Sequence, residues 1–337
     1  MIGLPLPIGG AGGESGCAAL LWRKSGVDVT ILPVAPIKPD NPWPKRLSDA
    51  GCEIEPPFFN GSPPACLKDA IAIDFCCEKA CRSWPELTKR GCRLIHVPCH
   101  CSVLDHEDAT FRHWPPNALV CQSQFQRHVL QLQYSSYGVK EVRTIRGAFD
   151  STLFPYLPCL PYQNSQFIVG AIGRDDIRKW PSRIVRALKI AKESVQKLRG
   201  RLLGWTPAME KASGKLPLWV YNFPPGNMPP DFFLYDCHAL LCMSDYCENW
   251  PRVVLEAMSS GVPVIADARG GYLEQIIHGE TGFLVTDEKH AAIVIQEIAS
   301  DENLRRRIAE NARCSLDKMV DEEAIAAGWS ELFASLS

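Results

Sequence analysis

Short apolar runs alternate with helix-patterned stretches along this chain, and the alternation halts once and restarts. Apolar runs at residues 1–7, 27–32, 70–75, 93–99 and 118–122 form the first series, with helical patterns after the glycine-rich GGAGGESG of residues 9–16 and over 123–137. Runs at 167–172, 201–205, 216–223, 239–244, 262–267 and 282–285 form the second, with helical patterns over 182–198 and 251–260. A strand that rejoins its sheet through a helix lies parallel to its predecessor, so each series predicts an α/β unit on a parallel sheet. Between them FPYLPCLPYQ, residues 154–163, packs three prolines into ten residues, and the domain boundary is expected there. A chain of 337 residues exceeds what one core usually organises. The expected domains are therefore 1–155 and 156–320, followed by a helical 321–337. Residues 33–64, rich in Pro, Gly and polar side chains, read as an irregular excursion.

Composition excludes several classes. Hydrophobic residues make up 46% of the chain and charged ones 22%, which suits folded cores and not disorder. Thirty-six Lys and Arg stand against 38 Asp and Glu, so no global basic footprint points to nucleic acid or anionic lipid. Arg82, Lys89, Arg90 and Arg93 could form a local basic patch, but a solvated face is the simpler reading. No apolar run approaches the roughly 18 residues that span a bilayer. Residues 1–10 lack the basic start and long apolar core of a secretion signal. The expected location is cytoplasmic, with peripheral contact at the inner membrane face as the alternative. Fifteen cysteines are many, yet the number is odd and the spacings match no zinc motif. The cluster Cys76, Cys77, Cys81, Cys92, Cys99 and Cys101 reads as small buried apolar residues, with redox sensitivity as the other reading.

The sharpest chemical feature is CENWPRVVLEAMSSGVPVIADARGG, where Glu248 precedes a helix and Glu256 lies inside it. Asn249 is placed to cap that helix, Pro251 suits its first turn, and Gly261 ends it. Eight residues of helical rise correspond to roughly 12 Å, too far for direct acid/base partnership between the carboxylates. The gap suits two hydroxyl-bearing groups on either side of a diphosphate, the reach of a nucleotide-sugar. Glu256 sits between apolar neighbours in VVLEAM, so it is expected to be partly buried and to need partners such as ribose hydroxyls.

The segment ENWPRVVLEAMSSGVPVIADARGGYLEQIIHGETGFLV resembles the donor-binding segment of GT-B retaining glycosyltransferases of the family 4 type. The resemblance implies a fold of two Rossmann-like domains facing across a deep cleft, the acceptor domain first and the nucleotide-sugar domain second. The last helix would then pack back toward the first domain. It further implies that Glu248 meets the donor sugar, Glu256 the ribose, and the amides near Asn249 and Trp250 the diphosphate, without a metal ion or other cofactor. In GRDDIRK, Arg174 and Lys179 would stabilise the departing diphosphate as it gains charge. The pattern it resembles has Gly after this lysine, where Trp180 and Pro181 stand here. Gly9, Gly10 and Gly12 would let the backbone approach the donor phosphate, and His100 in RLIHVPCHCS aligns with a histidine near the sugar and acceptor, with His96 as the weaker candidate. Gly147, Asp150 and Phe154 in VRTIRGAFDSTLFP resemble a structural strand-to-linker signature.

The implied activity is metal-independent transfer of a sugar, with retention, from a nucleoside-diphosphate donor to a hydroxyl acceptor on a glycan, lipid or small molecule. A catalytically silent GT-B protein that binds nucleotide or glycan is the competing expectation. A dinucleotide-binding turn fits poorly, because the glycines at 9–16 do not keep the GxGxxG spacing.

Overall fold

The computed structural model describes residues 1–7, 9–58, 63–64, 67–158 and 166–336. Two compact units divide the chain, Met1–Phe149 with Val320–Ser337, and Asp150–Met319. The division precedes the proline-dense stretch, whose residues 159–163 lie outside the described ones. Its reason is local. Ser259 Oγ donates to the Phe154 carbonyl at 2.6 Å and Leu157 N–H to the Ser260 carbonyl at 3.3 Å, which ties residues 151–157 to the second unit.

The first unit holds a two-stranded parallel pair, β1 (Thr30–Ile31) and β2 (Glu53–Ile54), and a four-stranded parallel sheet in sequential order, β3 (Ile71–Asp74), β4 (Arg93–His96), β5 (Ala118–Cys121) and β6 (Glu141–Thr144). Successive side chains alternate faces. Ile73, Ile95 and Val120 pack on one side with the helix Gly10–Lys24 and with Ile325, Trp329 and Leu332 of the helix Glu322–Leu336. Ala72, Leu94 and Leu119 pack on the other with Phe111, Leu130 and Tyr134.

Three expectations need correction in this unit. Residues 1–7 form no strand: only Ile2 bridges Leu32 and Asp74, because Pro5 and Pro7 lack the N–H that would extend the ladder. The glycine-rich run is not a loop, since the helix Gly10–Lys24 begins inside it and only Gly9, at φ +108°, stands outside as its cap. The excursion at 33–64 contains a helix, Trp43–Asp49, and the strand β2.

The second unit is a six-stranded parallel sheet: β7 (Phe167–Ile172), β8 (Leu198–Leu203), β9 (Val220–Phe223), β10 (Ala239–Cys242), β11 (Val264–Asp267) and β12 (Phe283–Val285), in spatial order 12-11-10-7-8-9. From β7 the chain steps outward to β8 and β9. It then returns beside β7 with β10 and steps the other way. The loops leaving the carboxyl ends of β7 and β10 are therefore neighbours at the point where the strand order reverses, the crevice where doubly wound sheets bind ligands. Beneath them the helix Ser182–Ser194 buries Ile184, Val185, Leu188 and Ala191 at helical spacing, in one core with Val169, Leu202, Leu241 and Ile265.

Candidate functional site

The loop after β7 is held in shape by the residue that breaks the sequence pattern. Trp180 is buried, and its ring fits so closely that a Cβ on Gly173 would lie 3.0 Å from it. Its indole N–H donates to the Arg174 carbonyl at 3.0 Å, and Trp205 meets it edge-on at 5.7 Å between centroids. Trp180 thus fixes the turn that carries Arg174 and Lys179. Within that turn Asp176 caps a 3-10 turn, Ile177–Lys179, by accepting from the Arg178 N–H at 3.1 Å. Burial opposes ionisation of Asp176, but hydrogen bonds from Tyr246 and Arg178 prevail and take its carboxyl down to about 2.

Tyr246, from the loop after β10, is the hub that the sequence did not single out. Its hydroxyl donates to Asp176 Oδ2 at 2.6 Å, and three cations surround its ring: Arg178 at 4.0 Å, Lys179 at 5.3 Å and Arg174 at 5.6 Å from the centroid. The same two loops are joined through backbone, with Asp245 N–H and Ser244 Oγ both donating to the Arg178 carbonyl, at 2.7 and 3.2 Å. Below them Arg183 forks onto the buried Asp267 and onto the Ser244 carbonyl, while Asp267 also accepts from Ser244 N–H at 3.1 Å.

Lys179 and Glu248, 69 residues apart in sequence, meet in an ion pair at this crevice. Glu248 is positioned by its own backbone, since its carbonyl accepts from Gly271 N–H at 2.7 Å. Gly270 and Gly271 lie flat on that turn: a Cβ on Gly270 would sit 2.5 Å from the Glu248 carbonyl oxygen, and one on Gly271 1.8 Å from that of Asn249. The GG pair is thus required by close approach of backbone to backbone. Asn249 and Trp250 are buried. The helix cap is Pro251 rather than Asn249, with the helix running Arg252–Ser260 and closing at Gly261 in the left-handed region, φ +78°. Asn249 stands two residues before that cap.

Glu256 is half-buried on that helix. Burial pushes its carboxyl up, against the attraction of Arg252 and with the repulsion of Asp231, and no hydrogen bond or ion pair to it is formed among the described residues. An acceptor held this way gains from any hydroxyl donors brought to it. Arg174 is half exposed at this crevice, beside Arg178 and Lys179, so three cations stand on the one turn after β7.

The first unit carries the remaining candidates. Gly9 and Gly10 are exposed at the start of their helix, whereas Gly12 is buried, its missing Cβ leaving room for the backbone of Leu6 at 2.5 Å. Gly147 packs on Glu14 in the same way, at 2.9 Å. His100 follows β4 and is half-buried, its carbonyl accepting from Gln126 Nε2 at 2.8 Å. His96 is fully buried between Asp74 at 2.9 Å and Glu107 at 3.2 Å, which gives it a structural place. Burial lowers the pKa of His96, but the two carboxylates outweigh it and raise it well above the ordinary range. Of the basic patch, Arg90 is occupied by Glu86 and the carbonyls of Pro63 and Pro64. Among the described residues no helix is long and apolar enough to cross a membrane.

Residues 160–314 match the family model of glycosyl transferases group 1. The chain is 36% identical over 102 residues to N-acetyl-alpha-D-glucosaminyl L-malate synthase of Bacillus anthracis, a stretch covering 28% of this chain and 27% of that protein. It is 24% identical over 175 residues to the capsular polysaccharide biosynthesis glycosyltransferase CapM of Staphylococcus aureus, covering 50% of this chain and 45% of the relative. The chain thus spans less than half the length of these two relatives. Over the whole chain, the structure of Anabaena HepE in complex with UDP and glucose superposes with a TM-score of 0.75 at 20% identity, covering 99% of each chain. The fold is GT-B.

Proposed function

We propose that this protein transfers a sugar from a nucleoside-diphosphate donor to a hydroxyl acceptor, with retention of configuration and without a metal ion. The observation that carries the reading is the meeting of Lys179 with Glu248, and of Lys179 and Arg174 over one tyrosine ring, at the reversal point of the second sheet, with a half-buried Glu256 on the helix that follows. In this reading the donor's diphosphate takes Lys179 from Glu248 and draws in Arg174, which supplies the charge stabilisation that a divalent ion gives elsewhere. The released Glu248 orients the sugar hydroxyls, and Glu256 accepts from the ribose. Asn249 and Trp250 shape the diphosphate turn. As the bond from the anomeric carbon to the diphosphate oxygen breaks, the acceptor oxygen bonds to the same face and its proton passes to the leaving diphosphate. In the first unit, His100 is assigned to the sugar or acceptor, and Gly9 and Gly10, with Gly12 supporting them, to the approach of the phosphate.

UDP is the first nucleotide to try, since the solved structure of HepE holds it. The test is thermal melting with UDP, GDP and ADP and their sugar conjugates in EDTA, because a ligand that prefers the folded state raises the melting temperature. A shift with one nucleotide in EDTA, lost in Glu256→Ala, supports the reading. No shift with any of them refutes it. A shift without slow donor hydrolysis or transfer favours a silent binder.

A further inference from the structure

The two cations assigned to the diphosphate are held unequally. Lys179 is committed to Glu248 in an ion pair. Arg174 is half exposed, and among the described residues its guanidinium is hydrogen-bonded only through Nη2, at 3.3 Å from the Tyr246 hydroxyl and 3.4 Å from Asp176 Oδ2. Both distances are long, since a guanidinium closes to about 2.7–2.9 Å on a carboxylate where nothing competes.

The cause is crowding on Asp176. A carboxylate offers about four lone-pair sites, two on each oxygen. Oδ1 is filled by the Arg178 N–H at 3.1 Å and Arg178 Nε at 3.2 Å. Oδ2 meets three donors for its two sites: the Tyr246 hydroxyl at 2.6 Å, Arg178 Nη2 at 3.3 Å and Arg174 Nη2 at 3.4 Å. The phenol is by far the shortest. Arg178 is anchored by its other bonds to the same carboxylate and by its stack on the Tyr246 ring at 4.0 Å from the centroid. Arg174 comes last, and the Asp176 side chain, only 16% exposed, has little room to turn another face to it.

We propose, on the reading that a nucleoside diphosphate binds this crevice, that Tyr246 is a positioning residue whose hydroxyl occupies the Asp176 oxygen that would otherwise capture Arg174. Without that hydroxyl Oδ2 has two donors for two sites. Arg174, two residues away along the chain, then closes onto Asp176 as a full ion pair, and a diphosphate must break the pair to recruit it. With the hydroxyl in place the guanidinium rests on weak contacts and transfers readily. Asp176 is thus the anion that competes with the ligand, and Tyr246 holds it in check. The ring has a separate part, stacking with the cations, which phenylalanine would keep.

The test is calorimetric titration of the full chain in EDTA with UDP, or with GDP or ADP if one of these is the nucleotide that raises the wild-type melting temperature. Tyr246→Phe should weaken binding about tenfold, the loss of one charge-assisted hydrogen bond. Asp176→Asn keeps an acceptor for the Arg178 N–H, removes the competing charge, and should tighten binding about threefold. In the Asp176→Asn background the further change Tyr246→Phe should cost less than about threefold, because no anion is left to capture Arg174. A hydroxyl that only supports the loop would cost the same in both backgrounds. Equal losses, or a Tyr246→Phe protein that binds like wild type, overturn the assignment while leaving the donor reading intact. So does Asp176→Asn binding no tighter than wild type, and should Tyr246→Phe fail to fold, the sign of the Asp176→Asn effect decides alone. A wild-type chain that binds none of the three nucleotides refutes the donor reading, and the assignment falls with it.

Discussion

Gly271→Ala tests the packing beneath Glu248, because local conformation and close approach predict opposite signs for it. Gly271 has ordinary right-handed backbone angles, φ −63° and ψ −18°. At such a position alanine normally stabilises by about 0.4–1 kcal/mol through the unfolded chain. Here the new Cβ would lie 1.8 Å from the Asn249 oxygen and 2.5 Å from its carbonyl carbon. Non-bonded carbons rest at about 3.5–4 Å, so the 248–249 turn must retreat by more than an ångström. The retreat breaks the 2.7 Å hydrogen bond from Gly271 N–H to the Glu248 carbonyl. Overpacking costs about 1–3 kcal/mol and the lost bond about 1 kcal/mol, leaving a net destabilisation of about 2 kcal/mol after alanine's own gain. For a unit of this size that is a fall of about 4–8 °C in melting temperature, read by calorimetry. Gly214→Ala is the control. It has φ +84° with nothing near its Cβ, and should lose only the conformational preference, about 1 kcal/mol. A Gly271→Ala protein that melts at or above wild type would refute the close-approach argument.

Three further outcomes are expected. Lys179→Met should lower the single-turnover transfer rate by about 10²–10³-fold, as for loss of one preorganised charge donor, and an unchanged rate would remove Lys179 from the diphosphate. Glu256→Gln should weaken nucleotide binding by about tenfold while raising the melting temperature at pH 7. The buried carboxyl is pushed up, so its stabilising protonated form prevails below the ordinary carboxylate range and is lost as pH rises; the variant's advantage should vanish near pH 4, and a constant difference would refute the assignment. Glu107 has the opposite sign. Burial raises it, but the His96 hydrogen bond and charge take it down to about 2, so its contribution is present above the ordinary range and lost as pH falls toward 2. Glu107→Gln should cost about 3–5 kcal/mol at pH 7 and much less at pH 3 in denaturant titrations.

The second unit was legible because its strands are apolar runs bounded by turn residues: β7 spans the residues read from the sequence, and the helix at 252–260 loses only Pro251 from its reading. Glu256 stood out as a carboxylate between apolar neighbours, whereas Glu248 and Lys179 drew notice through the resemblance, since a lone loop charge is ordinarily solvated. Tyr246 did neither, since an aromatic in an irregular loop gives no periodic signal. The Arg183–Asp267 fork was hidden by the 84 residues between its ends. Glycines misled at 9–16, because a glycine needed for positive φ and one needed for proximity look alike in sequence. Gly12 and Gly16 are of the second kind, with a Cβ on Gly16 meeting the Trp43 ring at 2.3 Å.

The ion pair across 69 residues also orders events during folding. Its two loops become neighbours only when β10 has docked against β7, a non-local pairing made at the cost of closing a long loop. Until that strand is in place and its helix has closed on Gly261, there is no crevice for a nucleotide to select. Contacts made this late are expected to be absent from the folding transition state. A nucleotide bound there should leave the refolding limb of the chevron unmoved and shift only the unfolding limb, lengthening the life of the folded chain rather than hastening its arrival.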